Sequence, residues 1–137
     1  MEEKDYIKKQ IDVLGRILGK LLANLIGNKN NGEIVGGIEI TNQILNEKLN
    51  LSIEKISLIP EEEFVNFLKT EKEFTNENLE QLAEILMLNV KNVIDEITKI
   101  KLYRKYLILL EYIEKNDKTY SLERHLKIEK VKGIISN

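Results

Sequence analysis

VLGRILGKLLANLIGN, residues 13–28, consists of four consecutive units that each read apolar, apolar, small, polar: Val13-Leu14-Gly15-Arg16, Ile17-Leu18-Gly19-Lys20, Leu21-Leu22-Ala23-Asn24 and Leu25-Ile26-Gly27-Asn28. On a helix of 3.6 residues per turn a four-residue unit advances about 400°. The apolar pair therefore drifts about 40° per unit and about 120° over the segment. The small residues drift with it along one i to i+4 ridge, the kind of ridge that packs when helices cross at about −50°. Gly15 and Gly19 each cost about 1 kcal/mol against alanine inside a helix, so close packing has to offset roughly 2 kcal/mol.

Three settings could supply that packing. A membrane-dimer seam needs an uncharged apolar run of about 18–20 residues. Arg16 and Lys20 interrupt this one. A membrane-surface helix needs a basic face, but the polar row holds two cations, and Glu2, Glu3, Asp5 and Asp12 lie just upstream. The third setting is a buried helix in a soluble bundle, and it is the one the sequence favours. Gly32 and Gly36, followed by Gly37, repeat the small-residue spacing just downstream. Helices one and two are therefore expected to cross closely along their small residues.

The rest of the chain is consistent with a bundle. Its 137 residues suit one domain, 1–137, large enough to bury a core without a metal or a disulfide. It has no cysteine, one proline, 32% charged residues and a net charge of −2. These figures exclude thiol chemistry and zinc-thiolate sites, and they argue for an ordinary solvated surface. The first residues are acidic and lack an apolar core, so no secretory signal is read there and a cytoplasmic location is expected.

Helical periodicity and caps predict the elements. Helix one runs from an Asp5 N-cap to about Ile26, stopped by Gly27, and helix two from about Gly32 to Leu49. Ser52 caps a short helix over 53–58. Pro60 and three glutamates open a helix to about Thr70 that buries Phe64, Phe67 and Leu68. Thr75 caps a helix ending near Asn89. A long helix over about 90–114 carries Val93, Ile94, Ile97, Ile100, Tyr103, Tyr106, Leu107, Leu110 and Ile113 inward. Its run Tyr106-Leu107-Ile108-Leu109-Leu110 is apolar on all sides, which places it centrally. Ser121 caps a last helix to about Ile135, with Leu122, Leu126, Val131 and Ile134 or Ile135 inward. No stretch alternates apolar and polar residues long enough for a strand.

The segment Gly32-Glu33-Ile34-Val35-Gly36-Gly37 followed by 38–45 resembles the second helix of a tetratricopeptide repeat, and Leu22-Ala23 resembles that repeat's leucine-glycine pair. The loop between is about two residues too long for the period of about 34, and no second copy follows. More broadly, Asp5-Tyr6-Ile7 leading into Leu14-Gly15-Arg16, the Gly32 hairpin, and Lys118 to Arg124 are similar to an uncharacterised family of small bacterial helical proteins with tetratricopeptide-like topology. The predicted elements group into helical hairpins over residues 5–49, 60–88 and 90–136, and the resemblance implies that they form an all-α tetratricopeptide-like array of about three hairpins, six to seven helices without a sheet. It implies no activity.

Chemistry is thinly signalled. His125 is the single histidine, and no recognisable nucleophile motif surrounds a serine. Pairs such as Glu80 with Glu84 and Asp95 with Glu96 fit solvated helix faces. The glycines form no phosphate-binding loop. No cofactor and no metal is therefore expected. Residues 61–96 hold ten acids against three bases, whereas residues 99–132 hold ten bases against five acids. Tyr103-Arg104-Lys105-Tyr106 mixes aromatics with cations as some RNA-binding surfaces do, but the acidic block and the overall balance oppose nucleic acid.

The expectation is a non-catalytic interaction or scaffold module that takes a protein or peptide in a groove between hairpins. Tyr6, Arg16, Lys20, Tyr103 and Arg104 are its candidate lining, because tyrosine and arginine are favoured anchors. The alternatives are a small-ligand binder or enzyme with an inconspicuous pocket, and a nucleic-acid binder using residues 99–132. Self-association is left open.

Overall fold

Ser52, Thr75 and Asp95 each stand one residue before a helix in extended backbone. Each accepts a hydrogen bond from an amide of the first turn, at Lys55, Asn78 and Thr98 respectively. These caps set element boundaries in the computed structural model, which describes residues 2–30, 37–117 and 119–136, with side chains over 13–27, 37–117 and 119–136. The described residues form seven helices and no strand. They are α1 (Glu2–Asn30), α2 (Gly37–Leu49), α3 (Ile53–Leu58), α4 (Glu61–Glu71), α5 (Asn76–Val90), α6 (Glu96–Asn116) and α7 (Leu122–Ser136). None is long and apolar enough to cross a membrane.

Two helices stop through left-handed residues. Asn50 (φ 53°) and Glu73 (φ 58°) follow α2 and α4. In each case the next amide reaches back six residues, Leu51 N to the Leu45 carbonyl at 3.2 Å and Phe74 N to the Leu68 carbonyl at 3.0 Å. Both residues after the turn, Leu51 and Phe74, are buried, which gives two Schellman endings with their apolar contact.

The core lies on both sides of α5, where Leu79, Leu82, Ala83, Ile85 and Leu86 are all essentially inaccessible. α5 packs most extensively on α6 and then on α1. From α1 come Leu14, Leu18, Leu21 and Leu25, and from α6 come Leu102, Tyr106, Leu109, Leu110 and Ile113. α6 also meets α3, α4 and α7, so its 106–110 run is covered from several sides as its sequence requires. α6 and α7 form a helical hairpin.

Four expectations are corrected. The glycine row of α1 faces α5: a Cβ at Gly15 would meet Asn78 and one at Gly19 would meet Gln81. Polar ends of two α5 side chains fill the space that small residues leave, and Gln81 Nε2 donates to the Gly15 carbonyl at 3.0 Å. Gly32 and Gly36, the expected partners of that row, lie outside the described residues. Asp5 is inside α1, and the helix continues through Gly27 to Asn30. Gly27 lacks the positive φ that a stop glycine needs.

The long helix begins at Glu96, because Asp95 accepts from the Thr98 amide at 3.1 Å and its hydroxyl at 2.6 Å, fixing a new start after the turn at 91–92. Ile94 (96% exposed), Ile97 (65%) and Ile100 consequently point to solvent. On α7 the inward residues are Arg124, Ile128 and Val131, with Ile135 half-buried, while Leu122 (60%), Leu126 (58%) and Ile134 are exposed.

Candidate functional site

A groove of about 810 Å³ opens where the N-terminus of α4, the middle of α6 and the end of α7 meet. Its floor is Leu107 and Ile108 of α6 with Ile135 of α7, all three half-buried against the core. Residues 104, 107, 108 and 111 recur at helical spacing, so α6 presents one continuous stripe to it. The walls are charged. Glu61 meets Arg104 at 3.8 Å and Glu111 meets Lys132 at 3.9 Å, with Glu129 at 4.0 Å from the same lysine. Glu62 and Ser136 complete the lining. Every charged partner is about half exposed, between 45% and 57%. Pairs of this kind contribute about 0–1 kcal/mol and exchange partners readily.

The floor is held by unusually polar supports. Lys105 is buried beside the groove wall. Its ammonium donates to the Ser57 carbonyl at 3.4 Å and sits 5.6 Å from the Phe64 ring centre. Burial lowers its pKa, with Glu61 partly opposing. On the far side of α6, burial pushes the Tyr106 phenol up to about 12, aided by Glu84. Lys127 of α7 reaches Glu84 of α5 at 2.7 Å and Glu123 at 3.3 Å. Burial is the largest influence and would lower its pKa, but the hydrogen bond and charge of Glu84 together with the bond to Glu123 outweigh it and raise the pKa. Arg124 is buried near the α6–α7 turn and donates to Asp117 at 3.2 Å. A second, smaller cleft of about 170 Å³ lies between α1, the end of α2 and the end of α4, lined by Val13, Ile17, Leu49 and Lys72 among others.

The five residues expected to line a groove are dispersed. Arg104 is in the large groove. Tyr103 is half-buried against the core on the same helix. Arg16 and Lys20 are exposed on α1 and line neither cleft. The Tyr6 side chain lies outside the described ones. α1 and α6 each pack against α5, so the pairs on these two helices belong to different layers. Leu107, Ile108, Glu111, Lys132 and Ile135 form the groove without having been singled out as a site. The signal was present for the first two, which belong to the all-apolar run on α6.

The basic segment 99–132 does not form an unbroken cationic face. Lys99, Arg104, Arg124, Lys127 and Lys132 each pair with a carboxylate, and Lys105 is buried. Arg104–Glu61 and Lys127–Glu84 tie this segment to the acidic block at 61–96. Among the described residues no group of three histidine, aspartate or glutamate side chains is placed to hold a metal ion. No family model, no curated protein and no solved structure matches the chain.

Proposed function

We propose that the protein is an interaction module that holds an amphipathic segment of a partner protein in the α4–α6–α7 groove, its apolar side chains on Leu107, Ile108 and Ile135. The observation that carries this reading is the half-buried apolar floor bounded by two solvent-exposed ion pairs. An apolar centre with a polar, wet rim is the usual anatomy of a protein-binding surface. The α6–α7 hairpin is also consistent with the tetratricopeptide-like stacking that the sequence resembles, in which such grooves carry the contacts. The half-exposed charges favour a macromolecular partner over a small ligand, for which a more enclosed site with converging buried polar groups is expected. The pairing of five of the ten bases of 99–132 with carboxylates, and the burial of Lys105, weigh against a nucleic-acid surface.

Ile108→Arg tests this reading, because Ile108 is only half-buried and the arginine stem can reach solvent. In affinity capture from the native cell extract, a partner retained by the unmodified chain is expected to be lost by Ile108→Arg and kept by Lys20→Glu. Equal retention by the groove variant, or no specific partner at all, overturns it.

A further inference from the structure

Leu122 and Leu126 are 60% and 58% exposed on the outer face of α7, and a Cβ added at Gly133 meets nothing within 4 Å. At 100° per residue these three positions fall within about 40° of one another, so they form one apolar seam with an open notch near its end. Glu123 and Lys130 flank the seam on one side, about 20° apart on the helix, His125 flanks it on the other, and Glu129 stands in line with the seam between Leu126 and Gly133. We propose that this face pairs with the same face of a second copy of the chain, antiparallel, about a two-fold axis near the level of residue 127.

The pattern is self-complementary in that arrangement, and only the antiparallel one sets Leu122 against the notch at Gly133. Antiparallel pairing brings like-sided flanks together, so Glu123 of each copy comes opposite Lys130 of the other, and His125 comes opposite Glu129. Leu122 lies opposite the notch at Gly133, and the two Leu126 side chains meet near the axis. A two-fold interface needs each such contact to occur twice, which it does. Glu123 is free to turn outward. Its side chain is 81% exposed, and its intrahelical partner Lys127 is already held by Glu84 at 2.7 Å. The groove residues Lys132 and Ile135 lie roughly a quarter turn or more away around α7, whereas Ser136 and Glu129 lie close to the seam, so pairing borders the groove's rim and leaves its apolar floor open. The inference does not rest on the proposed function. One helix face is small for an interface, which implies a reversible, concentration-dependent dimer.

Sedimentation equilibrium of the full chain over a concentration series tests it. A monomer–dimer equilibrium is expected. Leu126→Glu should abolish it with helix content unchanged, since the site is exposed. Glu123→Lys and Lys130→Glu should each weaken the dimer by about three- to tenfold, the effect of breaking two symmetry-related exposed pairs. The double reversal should restore it. The absence of native cysteine allows a second measurement. Under mild oxidation Leu126→Cys should give a disulfide-linked dimer faster than Leu58→Cys, a still more exposed position on α3. A chain that stays monomeric at every concentration overturns the proposal. So does a dimer indifferent to Leu126→Glu, a double reversal no better than the singles, or equal cross-linking from positions 126 and 58.

Discussion

At Gly19 an added Cβ would lie 3.6 Å from Gln81 Nε2, and at Gly15 3.8 Å from Asn78 Nδ2, both ordinary van der Waals distances. The row thus has room for a methyl group and little more. Gly19→Ala should raise stability by about 0.5–1 kcal/mol through helix propensity. Gly19→Leu should lower it by about 1–3 kcal/mol by overpacking against Gln81 and releasing it from the Gly15 carbonyl. Thermal unfolding reads both, with Gly27→Ala, whose Cβ meets nothing, as the propensity reference. A Gly19→Leu chain with an unchanged melting temperature would mean that the row faces solvent. Lys105 makes a different prediction. Its folded pKa lies below the ordinary 10.5 because burial disfavours the charge. The folded state then binds fewer protons than the unfolded one between those two values, so this group's contribution improves as pH rises through that window. Lys105→Met should be at least as stable as the native chain at neutral pH and should lose that advantage in alkali. Denaturant titrations at the two pH values decide it, and a variant weaker at neutral pH would show that the Ser57 and Phe64 contacts outweigh the desolvation.

Elements end here where side chains, more than periodicity, tell them to. Glu73 carries a backbone conformation that costs an L-residue about 1–2 kcal/mol. Glu73→Gly should therefore stabilise the chain by about 1 kcal/mol, while Thr75→Ala, which removes the cap of α5 and its reciprocal bond with Asn78, should cost about 1–2 kcal/mol. Equilibrium unfolding in denaturant measures both shifts. The Ser52, Thr75 and Ser121 starts were legible because a hydroxyl preceded each helix. The end of α5 near Asn89 was legible too, but the restart at Glu96 was not, because Val93, Ile94 and Ile97 continue an apolar spacing that nothing in the chain's periodicity contradicts. Asp95 three residues before Thr98 was the only mark of the new start. Likewise Leu122 and Leu126 read as inward by spacing alone. The face of α7 that turns in is settled by where α6 lies, and that is tertiary information. Thr41 and Asn89 are a related case. Their buried bond (Asn89 Nδ2 to Thr41 Oγ1, 3.0 Å) joins α2 to α5 across 48 residues, which no local pattern announces.

Across the whole molecule burial is uneven. Eight residues of α5 are buried, whereas α7 buries three and is held to α5 through the Lys127–Glu84 pair. Native-state hydrogen exchange should therefore show α7 amides opening at lower free energy than those of α5 and α6. Equal protection throughout would mean that α7 is fastened by more than these contacts. The groove was legible only in part for the same reason: its α6 stripe could be read from one helix, but Glu61, Lys132 and Ile135 reach it through the packing of two others. The seating of α1 on α5 has a last consequence, in time. Gln81 closes on Gly15 across 66 residues, so α1 leaves the ribosome long before its main partner exists. Until residues 76–90 emerge, Leu14, Leu18, Leu21 and Leu25 have no α5 to cover them. A nascent chain arrested before α5 should therefore be a chaperone client, and one arrested after it should not.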